Sequence, residues 1–192
     1  MEQLIVDTLF EKEDYTETSL PKIEYEQCTF KGCDFSQSDL SDVVFIDCKF
    51  IDCNLNLVNI SKTAFRDVIF KGCSMMGLHF ENCNEFGLAF TFEHCILNHS
   101  SFYEARIKKT TFKETQLHEV DFTGCDLTSS IFEGCDFTNA TFDHTILEKA
   151  DLRSSFNYSL NPETNRIKKA KFSLSGLPGL LDKYDIIIDK TY

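Results

Sequence analysis

Nine cysteines and five histidines are the side chains of this 192-residue sequence best suited to chemistry. Thiolates and imidazoles at short spacing would mean a zinc site or an activated nucleophile. Their positions argue otherwise. Cys28, Cys33, Cys48, Cys53, Cys73 and Cys83 are separated by multiples of five residues, and so, after one shift of two, are Cys95, Cys125 and Cys135. None pairs with a histidine at metal-ligand spacing, and an odd count suits reduced, packed thiols better than disulfides. His79, His94, His99, His118 and His144 fall on other phases of the same period, so they point outward. The glycines of "KGC", "TGC" and "EGC" recur at one position of the period, as a turn requires, and build no phosphate-binding loop. The sequence therefore predicts no enzyme, no catalytic residue, no cofactor and no metal.

The period that places the cysteines runs through most of the chain. Counting in fives from Tyr25 meets Phe30, Phe35, Leu40, Phe45, Phe50, Leu55, Ile60, Phe65, Phe70, Met75 and Phe80, with no polar residue among them. The phase fails at Glu85 and resumes at Phe92, continuing through Leu97, Phe102, Ile107, Phe112, Leu117, Phe122, Leu127, Phe132, Phe137, Phe142, Leu147 and Leu152. Two places before each of these centres stands a second residue, nearly always small, and every cysteine holds this small position, Cys83 before the failing Glu85. A spacing of five fits neither the helix nor the strand. It fits a chain that turns a corner every five residues around a narrow core, with four corners closing a coil of 20 residues.

Segments such as "CDFSQSDLSD", "VDFTGCDLTSSIFEGCDFTNATF" and "ADLRS" resemble the A(D/N)Lxx motif of the pentapeptide-repeat family, from about Thr18 to Ser154. The resemblance implies an all-β solenoid, a right-handed quadrilateral β-helix, of about 6.4 coils and roughly 31 Å at ~4.8 Å per coil. The expected organisation is an N-terminal cap segment at 1–17, the β-helix at 18–154 with a two-residue slip near 85–92, and a C-terminal cap and dimerisation tail at 155–192.

The chain carries 31 acidic and 19 basic residues, a net charge of −12. That balance disfavours nucleic acid or an anionic membrane as a direct partner and favours a basic protein. No apolar run reaches the length of a membrane span, and "MEQLIVDTLFEKEDYTE" lacks the basic start and cleavage site of a signal peptide, so a cytoplasmic protein is expected. If the slip keeps the faces aligned, the face of Leu40, Ile60, Phe80, Phe102, Phe122 and Phe142 carries Asp39, Asp42, Glu81, Glu104, Asp121 and Asp143 against Lys62. The neighbouring face, centred on Phe35 and Leu97, carries Asp34, Glu119 and Asp136 and no base. The other two faces mix acids with Lys31, Lys49, Lys71, Arg106, Lys108, Lys109 and Lys113. Two readings of the segregated charge stand together. Asp and Asn suit a turn corner and aid solubility; alternatively, the acidic faces imitate DNA before a protein built to hold a polyanion.

The tail "NPETNRIKKAKFSLSGLPGLLDKYDIIID" leaves the period. Asn161 with Pro162 and then Ser175 read as helix starts, and "DIIID" as a short strand. Leu174, Leu177, Leu180, Leu181, Tyr184, Ile186 and Ile188 are too apolar a set to stand exposed. They either cap the rod or pair with a second copy. Repeats with such a tail resemble the topoisomerase-protecting branch of the family: Qnr-type quinolone-resistance, microcin-immunity and mycobacterial fluoroquinolone-resistance proteins. That resemblance implies a homodimer joined through the tail and a type II topoisomerase, DNA gyrase or topoisomerase IV, as partner. The chain departs from some Qnr-type members in having only the slip "CNEFGLAFTFEHC" where they carry a long loop. The rival expectation is a generic interaction solenoid with another basic partner.

Overall fold

The computed structural model describes residues 4–189, so residues 1–3 and 190–192 of the expected terminal segments lie outside it. Large side chains at five-residue spacing turn inward, and the backbone winds around them in stacked four-sided coils. Two sides of the coil form parallel sheets. One contains β1 (Leu4–Val6), β3 (Glu24–Glu26), β5 (Val44–Ile46) and β7 (Ala64–Arg66) in that order. The other runs β2 (Leu9–Glu11), β4 (Thr29–Lys31), β6 (Lys49–Ile51), β8 (Val68–Lys71), β9 (Phe90–Glu93), β10 (Thr111–Lys113) and β11 (Ile131–Glu133). Within a sheet each residue faces the residue 20 positions on, Phe30 against Phe50 for example, except between β8 and β9.

The remaining sides pair through single bridges, such as Asp34 to Asn54 and Asp39 to Asn59. Residue type explains much of the difference. An Asp or Asn just before a centre turns its side chain back onto the N–H two residues later, as Asp34 does to Ser36 at 2.8 Å and Asp121 to Thr123 at 2.8 Å. That contact tightens the corner at the expense of the extended stretch. The corner residue two places after a centre takes a left-handed φ, and this is where Gly32, Gly72, Gly124 and Gly134 lie.

The core is a set of side-chain columns. Phe10, Phe30, Phe50, Phe70, Phe92, Phe112 and Phe132 stack with centroids 4.7–5.5 Å apart and planes within 21°. All nine cysteines are buried and free, at the small inward positions.

The slip is absorbed without loss of a face. Register changes from 20 to 22 residues between β8 and β9, so Phe70 faces Phe92, and His79 bridges Ser101. Asn84 N–H still bonds Thr63 O at 2.9 Å, and Ala89 N–H reaches Phe65 O at 3.0 Å, leaving 85–87 to bulge outward while Leu88 packs against the core. No centre residue then lies above Phe65. Phe90, opposite Val68, fills the gap, its ring 5.6 Å from Phe65 and 5.4 Å from Phe80 and from Phe92.

The coils extend beyond the expected 18–154 span at both ends. Leu4–Val6 and Leu9–Glu11 already pair in register with the coil above, and Asp151 bridges Lys171. Ile5, Phe10, Tyr15 and Leu20 keep the period of large residues, while Glu13 breaks the register of small ones and hides the first coil from a two-position search.

Candidate functional site: the acidic faces

The bridges run from Asp34 to Asp136 on one side of the coil, through Asn54, Ser74, Ile96 and Gln116, and join Asp39 to Asn59 and His79 to Asp121 on the next, so both faces stay aligned across the slip while their acids are unevenly spaced. The nine acids play different local roles. Asp34, Asp39, Asp121 and Asp136 each hold a backbone N–H two residues on, at 2.8–3.1 Å, and so build their corners. Asp42, Glu104 and Glu119 occupy exposed corner positions with φ of 63°, 54° and 55°. Glu81 lies in the short 3-10 turn Phe80–Asn82, and Asp143 follows Phe142.

Neighbours set the electrostatics. Asp39 accepts from Lys22 Nζ at 2.8 Å, and that hydrogen bond, with Ser41 assisting, holds its carboxyl down to about 2. Lys22 is a base on this edge that counting from Tyr25 overlooks. Around Asp136, burial works against ionisation, but hydrogen bonds from Asn157, Thr138 and His118 prevail and lower the carboxyl. On the mixed faces charge is largely cancelled between coils: Lys31 with Glu11 at 3.0 Å, Lys71 with Glu93 at 3.5 Å, Lys108 with Asp126 at 3.1 Å, Lys113 with Glu133 at 3.7 Å.

Every histidine touches a carboxylate: His79 with Glu81 (2.9 Å), His94 with Glu114 (3.1 Å), His99 with Glu119 (3.2 Å), His118 with Asp136 (2.9 Å) and His144 with Asp143 (3.0 Å). His99 and His118 lie on neighbouring coils and are joined through backbone, His99 N–H to His118 O at 2.9 Å. Among the described residues no group of three or more His, Cys, Asp or Glu is arranged to hold a metal ion. Burial pushes the Cys48 and Cys135 thiols up to about 12. Sequence reasoning also overlooked the slip's outer surface, where Phe86 is 77% exposed and Arg66 lies 5.5 Å from its ring centroid.

The tail covers the end of the rod. Asn161 starts a single turn rather than a helix, with its side chain accepting from Glu163 N–H at 3.0 Å. The 3-10 helix Leu174–Leu180 begins one residue before the expected start, capped by Ser173, whose hydroxyl accepts from Gly176 N–H at 3.2 Å. Tyr158 packs directly under Gly176, where any side chain would clash, and Leu160 N–H bonds Gly179 O at 2.9 Å. Residues 185–189 form no strand. Of the apolar set, Leu180 and Leu181 are half-buried, while Leu174, Leu177, Tyr184, Ile186 and Ile188 remain exposed. Leu174, Leu177, Leu181 and Ile188 line an apolar cleft of about 680 Å³. No helix among the described residues is long and apolar enough to cross a membrane.

The family profile described as "Pentapeptide repeat region" matches residues 23–91 and 77–155. No curated protein sequence matches the chain. Among solved structures, two trypsin-treated forms of QnrB1, described as a plasmid-mediated fluoroquinolone resistance protein, align with TM-scores of 0.62. They are 16% and 17% identical, covering 98% and 97% of this chain and 100% and 97% of theirs. Full-length QnrB1 aligns at 0.53 with 17% identity, over 96% of this chain and 100% of that one. At such identity the likeness speaks for the fold.

Proposed function

The chain belongs to the pentapeptide-repeat family, and from that premise we propose that it binds a type II topoisomerase, DNA gyrase or topoisomerase IV, as a protein imitation of DNA. By occupying the enzyme's DNA-holding surface it protects or regulates the enzyme against quinolones or peptide poisons. The observation that carries this reading is charge segregation: two adjacent faces carry nine acids against Lys22 and Lys62, while the other two mix acids with bases, several of them paired between coils. From Asp39 to Asp143 the rod advances five coils, ~24 Å at ~4.8 Å per coil, so nine carboxylates offset by Lys22 and Lys62 leave one net charge per ~3.4 Å. DNA offers one per ~1.7 Å counting both strands and ~3.4 Å along one. QnrB1, whose fold the chain shares, is by its description a fluoroquinolone resistance protein, and a role against quinolones is in keeping with that.

The exposed apolar tail fits a homodimer, in which each copy covers the other's Leu174, Leu177 and Ile188 and two rods form a longer acidic strip. A second reading, a generic scaffold with another basic partner, is favoured by one observation: Asp34, Asp39, Asp121 and Asp136 have a structural use at their corners whatever the chain binds.

Charge reversal separates the two. The cleanest set is Asp42, Glu104, Glu119 and Asp143, which hold no backbone N–H; reversing them should spare the fold and abolish binding to gyrase or topoisomerase IV. Reversing Lys31, Lys49, Lys71 and Lys113 is the control. Binding is measured at low and high salt, alongside supercoiling by gyrase with and without a quinolone. Equal loss from both sets, or no binding by the parent, removes the topoisomerase reading.

A further inference from the structure

The edge shared by the two acidic faces carries an apolar interruption. Along the described chain the left-handed corner positions are filled by glycine or by polar and charged residues, with one exception, Leu57, at φ 57°. A left-handed backbone is unfavourable for every side chain but glycine and mildest for Asn and Asp, and for a bulky apolar residue it is an outlier. Burial does not compensate it, because Leu57 is 61% exposed. The next coil is adapted to it: a Cβ on Gly77 would lie 2.7 Å from Leu57 Cδ2, so the glycine leaves the space the leucine occupies. Beside Gly77, Met76 is 37% exposed, its N–H held at 2.9 Å by Asn56 Oδ1. Leu57 also borders a shallow cleft of about 350 Å³ with Ile60, Gly77 and His79.

Around this spot the surface is polar and acidic. Asp34 and Asp39 lie one coil towards the N-terminus, Asn56 and Asn59 on the same coil, and Glu81, with His79, one coil further on. Lys22 and Lys62 are the nearby bases, the former bonded to Asp39. A strained apolar side chain, seated on a glycine and ringed by polar groups, serves no need of the corner and offers a partner an apolar contact to bury.

We propose that Leu57 and Met76 form an apolar anchor within the acidic surface, and that the topoisomerase partner inferred above meets it with an apolar patch or socket inside its basic DNA-holding surface. The inference rests on that reading of function and adds a contact that charge alone does not supply. Carboxylates steer and align the rod, and the Leu57–Met76 contact gives binding a part that salt does not screen.

The test compares the parent with Leu57→Asn, Leu57→Met and Met76→Gln for binding to purified gyrase and topoisomerase IV, each at low and high salt, with thermal unfolding of every variant. Asn suits the left-handed corner, so Leu57→Asn should unfold no lower than the parent while binding about tenfold more weakly, the loss persisting at high salt. Met76→Gln should weaken binding in the same sense, and Leu57→Met should restore it. Parent binding with Leu57→Asn unchanged overturns the anchor and leaves the acidic-face reading standing. No binding by the parent to either enzyme overturns both. A Leu57→Asn variant that unfolds well below the parent shows that the leucine serves the fold, and overturns the anchor too.

Discussion

Replacing Phe122 with Ala tests the assignment of inward centres where the core is most regular. Phe122 is fully buried between the rings of Phe102 (5.3 Å, 7°) and Phe142 (5.4 Å, 14°), with Phe112 and Phe137 edge-on at 6.4 and 6.3 Å. Its carbonyl also accepts from Thr145 Oγ1 at 2.8 Å and Cys125 N–H at 3.0 Å, so the backbone around it is tied to the coils and resists collapse into the void. Loss of a buried phenyl ring from such a site costs about 3–5 kcal/mol. For a chain of this length each kcal/mol moves the midpoint by about 2–4 °C, which gives a fall of about 6–20 °C. Phe86→Ala is the matched control, since a ring 77% exposed at the slip should leave the midpoint unchanged. Thermal unfolding followed by circular dichroism reads both. A Phe122→Ala midpoint within about 2 °C of the parent refutes the packing argument, and so does an equal fall in Phe86→Ala.

Two further outcomes follow from the core and the tail. With all nine thiols buried and Cys48 and Cys135 pushed up to about 12, a thiol reagent at pH 8 should label the native protein negligibly and every cysteine after denaturation; rapid native labelling would mean the columns open. Leu177→Glu with Ile186→Glu alters residues 41% and 55% exposed, so folding should persist while light scattering shows a monomer where the parent gives the mass of the proposed dimer; an unchanged dimer mass would place self-association elsewhere, and a monomeric parent would refute the tail-joined dimer.

Much of the solenoid is legible in the sequence because its rule is local: one large and one small inward residue in every five leaves few alternatives for the backbone. Legibility fails where one residue breaks the rule while the coil continues. Glu13 conceals the first coil. Phe90 could not be placed from spacing, since two inserted residues leave several candidates for the empty centre, and only the ring contacts with Phe65, Phe80 and Phe92 single it out. The histidine pairs had a signal that went unread: His94 and His99 stand 20 residues from Glu114 and Glu119, one coil away. "DIIID" has the propensity of a strand but forms none, and propensity yields to tertiary context.

The acidic faces show why composition alone cannot separate function from architecture. An Asp before a centre is favoured by the corner it tightens, so Asp34, Asp39, Asp121 and Asp136 would recur in a rod with no partner at all. The corner positions themselves favour glycine, Asn or Asp, and a Glu there gains nothing from the backbone. Glu104 and Glu119, at φ 54° and 55° and exposed, therefore stand where the repeat does not ask for them, as does Leu57 between the same two faces. Asp42, Glu81 and Asp143 complete the set that holds no backbone N–H two residues on. If the rod acts through its charge, binding must depend on this second group; if reversing it leaves binding intact, the acidic faces reduce to well-made corners.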